Sequence, residues 1–176
     1  MKKALLALFI SFVFAGVAAA QSAPAAEAFI GYSFVRADGG ENFPGGWHGS
    51  IAGNFNKNFG LVGEFSGHYK DFSGVTLKVH TFTFGPRFTY RGSERVEAFA
   101  HATVGGANAS ASAFGIGAGD TAFAWTIGGG VDIRCTDRIA VRPVQLDYVG
   151  TRFGSQTQNN LRYSAGIVFR FGSTNT

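Results

Sequence analysis

From Ala28 onward the chain alternates apolar and polar side chains with a period of two, in segments bounded by Gly, Asn, Asp and Ser clusters. That is the pattern of β-strands. Eight are expected: Ala28–Arg36, Gly46–Asn56, Phe59–Tyr69, Lys78–Tyr90, a fifth from Val96, Thr121–Ile133, Arg138–Val149 and Asn160–Phe171. The clearest set Phe123, Trp125, Ile127, Val131 and Ile133 against Ala122, Ala124, Thr126, Gly128 and Asp132, and Phe82, Phe84, Phe88 and Tyr90 against Thr83, Gly85, Arg87 and Thr89. The fifth has the least distinct faces, with Val96 to Val104 opposing Glu97, Phe99, His101 and Thr103. Parity changes within the seventh, where Ile139 and Val141 precede Pro143 but Val144, Leu146 and Tyr148 follow it, so a bulge is expected at Pro143.

The polarity of the two faces decides the surroundings. A soluble sandwich or barrel buries its large apolar side chains and shows polar ones to water. Here the face opposite the aromatic one is small, polar and sparsely charged, unsuited to a dry core. A closed barrel in a bilayer demands this inverse arrangement, and closure pairs every backbone group where lipid offers none. Glycine on the inward face suits eight strands, whose interior barely admits side chains. Connections alternate in length, as such barrels require. Short links fall at Lys57–Asn58, Arg91–Arg95 and Arg134–Asp137, and longer ones are expected at Ala37–Gly45, Lys70–Leu77, Ala107–Asp120 and Gly150–Asn159. The fold class is therefore an all-β, eight-stranded antiparallel transmembrane barrel, an up-and-down meander with both termini periplasmic and the longer links outside.

Upstream, Lys2 and Lys3 precede an apolar run from Ala4 to Ala20 that ends in small residues. This reads as an export signal over residues 1–20, with cleavage after Ala20. A membrane-anchoring helix is the disfavoured alternative, the run being at the short limit for spanning. The barrel then occupies 21–171, followed by a short tail, 172–176. No other long apolar run follows, so the hydrophobicity must be arranged in strands.

Composition narrows the function classes. The 176 residues include 26 Gly and 19 Phe, with 15% charged residues, which excludes disorder and a coiled coil. A net charge of +4 is too small to indicate a nucleic-acid binder. The single Cys, Cys135, excludes an intrachain disulfide and a cysteine-rich zinc site, and no role is assigned to it.

In the last strand Tyr163, Ala165, Ile167, Phe169 and Phe171 are spaced by two and close on a Phe. This resembles the C-terminal assembly signal of bacterial outer-membrane barrels, read by the barrel assembly machinery. The segment Val141 to Tyr148 is similar to the seventh strand of the OmpA membrane domain, with its inward Arg and acidic residue. From Phe29 to Phe171 the chain resembles the small eight-stranded group of OmpA membrane-domain, OmpX and Ail type barrels. The resemblance implies an outer-membrane location in a Gram-negative-type envelope, a lipid environment and a structural or surface-interaction role. It also implies a porin-like possibility of a very narrow gated pore. A monomer is expected, and no surface ligand can be named.

Parity sends Glu64, Glu97, Asp132 and Asp147 inward with Arg87, Arg142, Arg162 and Arg170, a ladder of ion pairs expected to plug the lumen. The resemblance points to Glu64 and Arg142 as a pair at mid-depth, either gating a pore or, preferably, holding the barrel shut. His48, His68 and His101 are also inward, and Ser66 stands two residues from His68. A lipid-modifying hydrolase is thus the alternative function, but spacing does not supply catalytic geometry, and polar lumen filling is favoured. The histidines lack zinc-site spacing. The chain is read as a non-enzyme, with no catalytic residue, metal or cofactor assigned. Trp47, Tyr69, Tyr90, Tyr148 and Tyr163 fall near strand ends, suited to the headgroup level or equally to ordinary lipid-facing bulk.

Overall fold

The computed structural model describes residues 23–38, 40, 42–72, 75–113, 116–153 and 156–172. The expected export signal and all of the tail beyond Gly172 lie outside them. Eight long strands form the wall: β1 (Ala26–Arg36), β2 (Gly45–Asn54), β3 (Phe59–Phe72), β4 (Val75–Tyr90), β5 (Val96–Ala113), β6 (Ile116–Arg134), β7 (Ile139–Phe153) and β8 (Gln156–Phe171). A two-residue segment, Asn42–Phe43, extends β1 at its outer edge through Val35 and Arg36. Each strand pairs antiparallel with the next, and β1 pairs with β8 from Ala26↔Phe171 to Arg36↔Leu161, closing the barrel.

The inside-out polarity is what the structure shows. Phe82 and Ile167 are 47% and 44% exposed on the outer face, whereas Glu64 and Arg142 retain 2% and 1%. Ile30, Ile51, Leu61, Phe84, Phe123 and Ile127 join the outer face, while Ser33, Ser50, Thr83, Thr89, Thr103 and Thr126 are buried inside. Closure packs the strands tightly at the seam. Gly31 and Gly166 are register partners, and a Cβ on Gly166 would overlap the Ile30 carbonyl oxygen and the Gly31 Cα.

The bulge at Pro143 is present. Register on the β8 side breaks between Arg142 and Gln145, and on the β6 side between Val131 and Ile133. The short turns are held by side chains: Asn56 Oδ1 accepts from the amides of Asn58 and Phe59 at 2.9 and 2.8 Å, and Thr136 Oγ1 accepts from Ile139 N at 3.0 Å. The second strand ends at Asn54 rather than Asn56, because Phe55 and Asn56 already bond to Phe59 as the turn.

The opposite end corrects the expected link lengths. Most of Ala107–Asp120 is strand, paired to Ala113↔Ile116. Lys70–Leu77 is strand up to Phe72 and from Val75, and Gly150–Asn159 up to Phe153 and from Gln156. The length asymmetry is thus built into the wall: long strands rise past the apolar belt at one end, and short turns and both described termini lie at the other. Alternation fades in these extensions because lipid no longer selects large apolar side chains on one face, although the hydrogen-bond ladder continues.

Candidate functional site: the filled lumen

The pleat turns every second residue inward, and the bore of eight strands forces those side chains into contact. All eight charged residues assigned inward from parity, Glu64, Arg87, Glu97, Asp132, Arg142, Asp147, Arg162 and Arg170, are buried there. They fall into two layers.

In the layer nearer the short turns, Arg142 binds Asp132 through Nε at 2.7 Å and Nη2 at 2.9 Å, a bidentate fork. Its guanidinium is stacked between Phe29 and Phe99, 4.4 and 4.2 Å from the ring centroids, so aromatic faces replace part of the lost hydration. Arg87 bridges Glu27 at 2.9 Å and Asp132 at 3.4 Å. Arg91 spans Glu27 and Glu97 at 3.3 and 3.2 Å, and its Nη1 donates to the Lys57 carbonyl. Arg170 binds Glu97 at 2.6 Å, and Arg134 reaches the same carboxylate at 3.1 Å from the rim.

In the second layer Arg162 binds Asp147 at 2.8 Å, reaches Glu64 at 3.5 Å and donates to Ser66 Oγ at 3.2 Å. His48 Nε2 lies 3.3 Å from Glu64, and His101 Nε2 lies 3.4 Å from Glu64 and 3.3 Å from Asp147. Metal-capable atoms of His48, Glu64 and Asp147 all fall within 4.8 Å of one another. Gln145 joins the layers: its carbonyl oxygen accepts from Arg142 Nη1 at 2.8 Å, and its amide donates to Glu64 at 3.1 Å and Asp147 at 2.9 Å.

The expected Glu64–Arg142 pair is therefore corrected. Each has a different charged partner, and Gln145 stands between them. The bulge is the physical reason, because it offsets Arg142 from Gln145 and Asp147 along β7, beside Asp132 of β6. Sequence reading also missed Glu27, Arg91, Gln145 and Phe29. Parity carried the signal for each: Glu27 and Phe29 continue the Gly31 and Ser33 face, Arg91 follows Arg87 and Thr89, and Gln145 precedes Asp147 by two.

The hydrolase arrangement does not assemble at Ser66. Its hydroxyl contacts Thr81 at 2.5 Å and Arg162, while His68 Nε2 contacts Ser33 at 2.9 Å. A Ser164–His48–Glu64 chain does exist, with His48 Nδ1 3.0 Å from Ser164 Oγ. Ser164 is wholly buried and does not line the cavity described next. Above the second layer, toward the long-strand end, lies a cavity of about 370 Å³. Ser66, His68 and Arg162 line it along with apolar residues such as Val35, Leu77, Val79 and Val149.

Tyr163, Ala165, Ile167, Phe169 and Phe171 share the outer face of β8, and all four larger members are exposed. Trp47 and Tyr69 are hydrogen-bonded at 3.2 Å near the long-strand end, and Tyr90 is exposed near the short turns. Cys135 is an exposed thiol in a short turn.

The model for the outer membrane protein beta-barrel domain matches residues 5–172. The chain belongs to that family. It is accordingly an outer-membrane barrel, and solved structures share its fold. Ail, the attachment invasion locus protein of Yersinia pestis, is 20% identical, with 83% of this chain and 97% of that chain covered and a TM-score of 0.59. Neisserial surface protein A is 14% identical, covering 83% and 96%, with a TM-score of 0.68. The N-terminal β-barrel domain of Pseudomonas aeruginosa OprF is 12% identical, covering 86% and 100%, with a TM-score of 0.60. Ail has also been crystallised with the heparin analogue sucrose octasulfate. No curated protein matches this outer-membrane barrel in sequence.

Proposed function

We propose that this outer-membrane barrel is a closed scaffold that presents a surface for interaction outside the cell and carries no enzymatic activity. The observation that carries the reading is the lumen: Arg142, Gln145, Asp147 and Arg162 form one hydrogen-bonded chain that joins both charged layers. Such a network fills the bore with side chains that cannot separate without stranding charge. The ion-pair residues act together as a plug, and the narrow-pore reading requires them to part.

The long-strand end faces outward and the short turns face the periplasm, in keeping with the general pattern of bacterial barrels. Residues 1–20 direct export, and the outer face of β8 from Tyr163 to Phe171 serves as the signal for the assembly machinery. A monomer surrounded by outer-membrane lipid suits the continuous apolar belt. At the long-strand end, Arg36, Lys70, Lys78 and Arg152 outnumber Asp38 among side chains described there. That rim suits a sulfated or phosphorylated polyanion, consistent with the ligand seen on Ail.

Planar-bilayer recording tests the plug. The refolded protein is expected to give no unitary conductance at neutral pH, and steady open events from the wild type would overturn the closed reading. Heparin binding, lost on reversing Arg36 and Arg152 to Glu, tests the rim. Retained affinity in that variant would remove it.

A further inference from the structure

The histidines of the second layer present an unusual contact. Ser164 Oγ donates its proton to Ser33 Oγ at 3.4 Å, so the bond between Ser164 and His48 Nδ1 has the imidazole as donor. In the neutral ring, Nε2 then carries a lone pair, and it points at a carboxylate oxygen of Glu64 3.3 Å away. His101 Nε2 likewise faces Glu64 and Asp147. Both nitrogens are buried and lack a hydrogen-bond partner. The His48 lone pair turned toward Glu64, with Asp147 beside it, calls for a cation between them.

We propose that His48, Glu64 and Asp147 bind one divalent transition-metal ion of the zinc class inside the barrel, with His101 beside the two carboxylates. The spacing fits the chemistry. Ligands about 2.0 to 2.1 Å from a tetrahedral ion are separated by about 3.3 to 3.4 Å; His48 Nε2 lies 3.3 Å from Glu64 Oε1, and the ligand atoms of His48, Glu64 and Asp147 all lie within 4.8 Å of one another. Imidazole and carboxylate together suit zinc, cobalt and their neighbours rather than calcium or magnesium. Outer partners are in place: Ser164 fixes the His48 ring, Arg162 holds the Asp147 oxygen that faces away from His101, and Gln145 holds both carboxylates. The cavity at the long-strand end stops at Ser66, His68 and Arg162, which separate it from the ligands, so an ion enters past the Arg162 side chain or during folding. Spacing along the chain hid the site, since its ligands come from β2, β3 and β7.

The test uses full-length, tag-free protein refolded in micelles, with folding of each variant checked by heat-modifiable gel migration. After incubation with Zn²⁺ and dialysis, the wild type is expected to retain about one equivalent by mass spectrometry, and Co²⁺ to give visible absorption bands of a tetrahedral site. His48→Gln should abolish both signals. Ser164→Ala should weaken binding about 10- to 100-fold, whereas His80→Ala, on the outer face, should change nothing. Failure of the folded wild type to retain either metal would overturn the proposal. So would equal retention by the folded His48→Gln variant, which would place the metal elsewhere.

Discussion

Replacing Arg142 with Ala removes the most heavily engaged cation in the lumen. The change deletes the fork on Asp132, the bond to the Gln145 carbonyl oxygen and the stack between Phe29 and Phe99. Breaking a buried pair from one side costs about 3 to 5 kcal/mol, because the surviving charge stays buried. Arg87 remains 3.4 Å from Asp132, so the lower figure applies, about 3 kcal/mol. With a urea slope of about 1 to 3 kcal/mol per molar, that loss lowers the unfolding midpoint by about 1 to 3 M. The assay is urea titration in micelles, followed by tryptophan fluorescence and by gel migration. A double-mutant cycle with Asp132→Asn isolates the pair, and the double variant should be destabilised by less than the sum of the single changes. An unmoved midpoint for Arg142→Ala, or strict additivity in the cycle, would refute the account of the plug.

Two further outcomes follow from the wall. Gly166→Val should lower the folded fraction on refolding, since its side chain meets the backbone of Ile30 and Gly31 at the closing seam; wild-type yield on heat-modifiable gels would show that the strands can separate there. Phe171→Ser should slow insertion into vesicles that contain the assembly machinery while leaving the micellar urea midpoint nearly unchanged, because Phe171 is 56% exposed. Equal insertion rates would remove the outer face of β8 as the signal.

What was legible in the sequence follows from which force writes the pattern. Lipid demands a large apolar side chain at every second position, so the membrane-level faces of β3, β4 and β6 could be read residue by residue. Beyond the belt that demand lapses. Ala107 to Ala113 alternates small residues only, and a continued strand looks like a loop. Inside, parity reveals the face but not the height. Height depends on strand stagger and on the bulge at Pro143, so parity reveals neither the Arg142–Asp132 fork nor the bridge through Gln145, and the Glu64–Arg142 pair that the resemblance implies does not form. The metal cluster was illegible for the same reason, as it is assembled across the bore.

The two layers differ in sign, and that difference unites the plug with the ion site. Arg87, Arg91, Arg142 and Arg170 face Glu27, Glu97 and Asp132 in the layer near the short turns, an excess of one positive charge before Arg134 at the rim is counted. Among its carboxylates and guanidinium, the second layer sets Glu64 and Asp147 against Arg162, a deficit of one. A cation from the long-strand end that passes Arg162, which lines the cavity, reaches the electronegative layer before the guanidinium-rich one and finds the His48 nitrogen there to coordinate it. Further passage would require it to displace Gln145 and enter a low-dielectric region already rich in guanidinium, where like-charge repulsion is strong. Charge order along the axis therefore makes retention without conduction the expected behaviour. A barrel in which the layers were reversed would repel the same ion at its mouth.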